Sequence, residues 1–192
     1  MNIGIYSGSF NPIHLGHTGL AGYILRHSNL DEVWLMVSPN NPLKTGSDLW
    51  DEKFRLKLAK IATNHIPGVT ASDFEFNLPR PSYTVETLRQ LSDRYPQYSF
   101  SLIIGSDNMT IFHKWREYEY ILGHYPIIVY PRKGDDMEYL KKKYPNIHIV
   151  ENAPLFEISS TMIRQKLKAG ESVAEWVDKE VNEILEKEYL RD

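Results

Sequence analysis

Two histidines stand three residues apart in the segment Gly8-Ser9-Phe10-Asn11-Pro12-Ile13-His14-Leu15-Gly16-His17. At that spacing both imidazoles fall on one face of a helix. The hydrophobic run Asn2-Ile3-Gly4-Ile5-Tyr6 precedes them, and Leu20, Tyr23, Ile24 and His27 follow at helical spacing. The pair therefore stands where a strand hands over to a helix. A helix N-terminus presents free N–H groups and partial positive charge, which suits a phosphate. Gly8 and Ser9 are small enough to let a ligand approach the backbone. The alternative is a capping or packing pair in a tight turn; placement straight after the first strand, with glycines on both sides, favours the anion site.

A second anion site is readable far along the chain. Ser159, Ser160 and Thr161 cluster at a helix start, with Arg164 one turn in. Hydroxyls, free N–H groups and a guanidinium together hold phosphate oxygens. Arg132, in the turn Tyr130-Pro131-Arg132-Lys133-Gly134, is a further candidate for bidentate phosphate contact, and Lys133 reads as solvated. Asp107 follows Gly105 at the end of an apolar run; it either reaches a ligand or caps a helix. Ser82 and Thr84 also read as helix caps. Lys44 and Asn40 lie in the polar loop Ser38-Pro39-Asn40-Asn41-Pro42-Leu43-Lys44, either as ligand contacts or as solvated loop residues.

The elements that must position these groups alternate. Apolar runs of strand length occur at Asn2–Tyr6, Glu32–Val37, Ser99–Ile104, Pro126–Tyr130 and Ile147–Val150, with a weaker one near Val69–Phe74. They are continuous rather than alternating, as in strands covered on both faces. Helical patterns lie between them: about Asp51–His65, with Phe54, Leu58 and Ile61 inward, about Thr84–Tyr95, and a short one near Met137–Tyr144. This predicts an α/β doubly wound parallel sheet. Ligands in such sheets sit beyond the carboxyl ends of the strands where strand order reverses. From Ser159 onward the chain is helical. Val177, Val181, Ile184 and Leu185 form one apolar stripe that reads as packing on the flank of the sheet rather than as a dimer contact.

At 192 residues the chain is expected to form one domain (1–192), with about 159–192 a helical segment packed on it. With no cysteine, disulfides, thiolate chemistry and a Cys-rich zinc site are excluded. A net charge of −3 gives no basic surplus for nucleic acid. No apolar run approaches the ~20 residues of a membrane span, and the chain opens on a strand rather than a signal peptide. A cytoplasmic enzyme is expected; a homo-oligomer is left open.

The segment His14-Leu15-Gly16-His17 resembles the mark of the H-x-G-H nucleotidyltransferase family, and within it the adenylyltransferases of nicotinate mononucleotide. The matched segments extend from Gly8 to Arg164. Ile158-Ser159-Ser160-Thr161-Met162-Ile163-Arg164 is similar to the family's I-S-S-T-x-I-R, which holds the β- and γ-phosphates of ATP. The resemblance implies a Rossmann-like nucleotidyltransferase fold with C-terminal helices, with His14, His17 and Arg164 catalytic. It implies that Gly8, Ser9, Phe10, His14, His17, Lys44, Asp107, Ser159, Ser160 and Arg164 serve ATP. Tyr83 and Thr84, in the subgroup's S-Y-T segment, would serve the second substrate, as would Asn40, Trp115 and Arg132. Trp115 would stack on a flat, electron-poor pyridine; the alternative places it in the core with Trp34, Trp50 and Trp176. The loop departs from the family's longer P-P-H-K form by lacking that histidine and one of the paired prolines.

The implied reaction transfers AMP from ATP to nicotinate mononucleotide. Mg²⁺ would be bound mainly through ATP and water, with no protein metal ligand assigned. The same chemistry on nicotinamide mononucleotide or phosphopantetheine is the near alternative. A metal-dependent hydrolase using His14, His17 and Asp107 is the alternative from another class, and a non-catalytic nucleotide-binding domain is a third.

Overall fold

The chain opens with strand β1 (Asn2–Gly8) and helix α1 (Leu15–Arg26), then β2 (Glu32–Val37), α2 (Glu52–Thr63) and β3 (Val69–Ser72). Helix α3 (Thr84–Arg94) crosses to β4 (Ser99–Gly105), which is followed by α4 (Ser106–Thr110), α5 (Tyr118–His124) and β5 (Ile127–Tyr130). The elements α6 (Met137–Lys143), β6 (His148–Ile149), α7 (Ser160–Lys168) and α8 (Lys179–Tyr189) complete the order. The structure is a computed structural model and describes residues 1–39 and 49–189.

Every strand pairing is parallel, and the order across the sheet is β3-β2-β1-β4-β5-β6. The order reverses between β1 and β4, so their carboxyl ends frame the crevice of a doubly wound sheet. Side chains alternate across the sheet. Ile3, Ile5, Phe100, Leu102 and Ile104 join one core with α3, α4, α5 and α6. Tyr6, Leu35, Ile103 and Tyr130 join the other with α1, α2, α7 and α8. Both faces are covered, which is why the strands read as unbroken apolar runs. Fully burying each such aliphatic side chain contributes about 1.5–3 kcal/mol.

The C-terminal stripe packs as expected. Val177, Val181 and Leu185 are buried in the same core as Leu58 of α2, with Ile184 half-buried beside them. Three details differ from the sequence reading. In α2, Leu58 is buried, but Phe54 and Ile61 are only half-buried, and the deepest neighbour is the fully buried Arg55. The strand begun at Val69 stops at Ser72 and passes into a 3₁₀ turn, Phe74–Asn77. Helices α4 and α5 are too short to show a period in the sequence. Among the described residues no helix is long and apolar enough to cross a membrane.

Candidate active site

His14 caps the start of α1 with an extended backbone. The N–H of His14 donates to Nδ1 of His17 at 3.3 Å. A neutral imidazole that accepts at Nδ1 carries its proton on Nε2, so His17 is a donor. The two rings stack, with centroids 3.7 Å apart and 27° between planes. Beneath them lies Phe10, buried and held at φ 42 in the left-handed region, a conformation costing about 1–3 kcal/mol for a residue with a side chain. Its ring meets the edge of His17 at 5.0 Å and of Tyr6 at 5.8 Å. A Cβ on Gly8 would stand 2.9 Å from the Phe10 ring. The buried Phe10 ring is thus a prop for His17 and lies against Gly8.

Burial, with the Arg132 guanidinium adding to it, lowers the pKa of His14 to about 4. At neutral pH the His14 ring is therefore uncharged. The unfolded imidazole takes its proton near 6.5 and the folded one only near 4, so the unfolded chain holds the extra proton between those values. Stability present above 6.5 is lost as pH falls toward 4, by up to about 3 kcal/mol. Urea unfolding from pH 7 to pH 4 is expected to show that slope, and His14→Gln to flatten it. A variant with the full slope would contradict this role for the buried ring.

Two segments distant in sequence meet here. The Ser160 hydroxyl donates to the Pro12 carbonyl, 148 residues away, at 2.8 Å. Arg164 Nη1 donates to the Asn11 carbonyl, 153 residues away, at 2.8 Å. Helix α7 is thus tied to the turn that carries the histidines. Ser159 caps α7, accepting from the Met162 N–H at 3.2 Å. The Ser160 proton is committed to the scaffold, whereas Ser159 only accepts and keeps its O–H, with the backbone N–H groups, to offer a phosphate. Arg164 Nε is buried with no hydrogen-bond partner, a donor that an anion would satisfy.

His14, His17, Asp107, Arg132, Ser159 and Arg164 all line one cleft of about 1110 Å³. Ser9 lines it too. Asp107 does not cap a helix: the N-cap of α4 is Gly105, and the Asp107 carboxylate stands exposed, 3.9 Å from Arg132 Nε. Ser106, missed in the sequence, accepts from the Arg132 N–H at 2.7 Å and donates to Asp135, pinning the turn after β5.

A second cavity of about 430 Å³ is lined by Ser82, Tyr83, Thr84 and Trp115, with Gly8 at its edge. Trp115 is half-buried, its ring 5.2 Å from Phe112 and tilted by 51°. Neither Ser82 nor Thr84 caps α3. The N-cap is Tyr83, which makes no side-chain cap bond to the first N–H groups of the helix, and Tyr83 and Thr84 line this cavity. Ser82 instead donates to Glu75, as do Ser38 and Thr87. Burial raises the Glu75 pKa, and the bonds from Ser38, Thr87 and Ser82 work against that. Arg132, expected at the second substrate, lines only the first cleft.

Arg55 was also missed. It is fully buried and donates to the carbonyls of Ser9, Ser38, Pro39 and Trp50. It thereby holds the turn after β1 to the end of β2. Asn40 and Lys44 lie outside the described residues.

The hydrolase alternative finds no support in this geometry. The histidine rings lie face over face, and among the described residues no three His, Asp or Glu side chains group as metal ligands. A two-cavity crevice at the switch point, carrying an H-x-G-H turn joined to the N-terminal end of α7, defines a nucleotidyltransferase. The chain belongs to the cytidylyltransferase-like family, whose profile matches residues 5–166. Its relatives are more particular. It is 49% identical over 170 residues, 88% of this chain and 84% of the relative, to a Bacteroides fragilis protein named probable nicotinate-nucleotide adenylyltransferase. It is 46% identical over 190 residues, 98% of each chain, to a protein of the same name from Cytophaga hutchinsonii. The fold is shared with the Plasmodium falciparum nicotinic acid mononucleotide adenylyltransferase complexed with NaAD, at TM-score 0.79 and 20% identity, covering 98% of this chain and 95% of that one.

Proposed function

We propose that this chain transfers AMP from MgATP to the phosphate of nicotinate mononucleotide, forming nicotinate adenine dinucleotide and pyrophosphate. The observation that carries this reading is the pair of adjoining cavities. One is lined by His17, Arg164 and Arg132, and the other by an indole and a helix N-terminus without a side-chain cap. The first suits a triphosphate and the second a flat ring bearing an anion.

The nucleophile is an anionic phosphate oxygen and needs no base. It bonds to the α-phosphorus, and the bond from that phosphorus to the bridging oxygen breaks, its electron pair leaving with pyrophosphate. The protein's part is alignment and charge stabilisation. His17 Nε2–H and the neutral His14 ring act at the α-phosphate, while Arg164 and the first N–H groups of α7 hold the departing pyrophosphate. Mg²⁺ would be held mainly by ATP and water and would neutralise phosphate charge there; among the described residues the carboxylates lining that cleft are Asp107, Asp135 and Glu157. A few carboxylates plus substrate phosphates and water is the usual magnesium environment.

Pyrophosphate release from ATP with nicotinate or nicotinamide mononucleotide as acceptor tests the reading. A higher kcat/KM for nicotinate is expected, since the N–H groups at the start of α3 favour a carboxylate over an amide. A preference for the amide would overturn the choice of acceptor. Trp115→Ala is expected to raise the KM for nicotinate mononucleotide about tenfold, the worth of one aromatic stack. The KM for ATP should stay unchanged; equal effects on both would remove Trp115 from the pyridine site.

A further inference from the structure

The two cavities meet at one wall, and among the described residues only Tyr6 and Tyr130 line both. They reach each other across an intervening strand, β4, because Gly105 lies in register with Tyr130. A Cβ on Gly105 would stand 3.1 Å from the Tyr130 hydroxyl. The two hydroxyls are 3.5 Å apart, and the rings meet at 5.8 Å and 73°. Tyr6 also touches the site from beneath, its ring centroid 6.4 Å from that of His17.

One hydrogen bond at this pair has a fixed direction, and the contact between the two hydroxyls can run either way. Arg132 Nη2 donates to the Tyr130 oxygen at 3.2 Å. The Tyr6 hydroxyl is buried, and Tyr130 is its partner. Burial keeps the Tyr6 proton in place well above the usual tyrosine range, so Tyr6 can donate to the same oxygen. A phenol oxygen has two acceptor sites and one proton. With Arg132 and Tyr6 on the acceptor sites, the Tyr130 proton is left to give.

We propose that Tyr130 is a catalytic residue that donates its phenolic O–H to the phosphoryl group in transfer, and that Tyr6 is a positioning residue that aims it. This rests on the function proposed above, because a bond between a phosphate from one cavity and a phosphate from the other forms where the cavities meet. Tyr130 gives a hydrogen bond and transfers no proton. Its hydrogen bond goes to a non-bridging oxygen of the α-phosphate, where negative charge accumulates as the acceptor oxygen arrives and pyrophosphate departs.

The test is Tyr130→Phe, which keeps the aromatic wall and removes the donor. Wild-type turnover of ATP with nicotinate mononucleotide is measured first, so a failure of the parent reading shows there and nowhere else. Against active wild type, Tyr130→Phe is expected to lower kcat about 10²-fold, as loss of one preorganised donor does, with both KM values within about threefold. Tyr6→Phe is expected to lower kcat about tenfold, and the double variant to match Tyr130→Phe alone, because Tyr6 acts through Tyr130. A Tyr130→Phe enzyme with wild-type kcat overturns the proposal. Additive losses in the double variant overturn the part assigned to Tyr6.

Discussion

His17→Ala is expected to lower kcat by about 10²–10³ while the protein remains folded. The effect is large because the ring is preorganised three times over. The His14 N–H fixes its tautomer, the His14 ring stacks on one face, and Phe10 supports it in a T-shaped contact. A donor held this way costs no reorganisation when charge develops on the transferred phosphate. Because the bond strengthens in the transition state, KM for ATP should change little. Circular dichroism establishes the fold, and single-turnover kinetics read the chemical step. A folded variant with near-normal kcat would remove His17 from the mechanism.

Arg55→Met is expected to be the most destabilising substitution outside the aliphatic core. The guanidinium is fully buried and serves four backbone carbonyls. Methionine fills much of the volume but leaves those acceptors unpaired, each at about 1–3 kcal/mol. Partial relaxation toward water lowers the sum, so a loss of about 4 kcal/mol is expected. At about 2–4 °C per kcal/mol for a chain of this size, the midpoint of thermal unfolding should fall by about 10 °C. Arg55→Lys should recover little, since one ammonium cannot replace the planar fork. Because Arg55 holds Ser9 to Ser38 and Pro39, activity should fall even below the melting range. A loss under 1 kcal/mol would show that this clamp does not hold the site together.

The parts of the fold that the sequence made legible share a physical cause. Strands buried on both faces must be apolar throughout, so β1, β2, β4 and β5 announce themselves. The turn after β1 is legible because histidines flanked by glycines at a strand end have few structural uses. Ser159 to Arg164 is legible as chemistry, and its closeness to the histidines follows once β1 is central in the sheet.

What stayed hidden depends on partners distant in sequence. Arg55 lies on the inner face of α2 with Leu58, Ala59 and Ala62; an arginine there was the available signal, but the four carbonyls that justify it come from three other segments. Glu75 looks like a surface residue until Ser38, Ser82 and Thr87 are brought around it. Tyr6 and Tyr130 read as strand residues, and only the missing side chain of Gly105 lets them meet across β4. The left-handed turn that lays Phe10 against Gly8 likewise leaves no trace in composition.

The most direct test is a crystal structure with nicotinate adenine dinucleotide bound. The account predicts the adenylate phosphate beside His17 Nε2, the linking oxygen passing the Tyr6–Tyr130 wall, and the pyridine on Trp115 with its carboxylate at the start of α3. A dinucleotide lying wholly within the larger cleft, with the indole cavity bare, would contradict it.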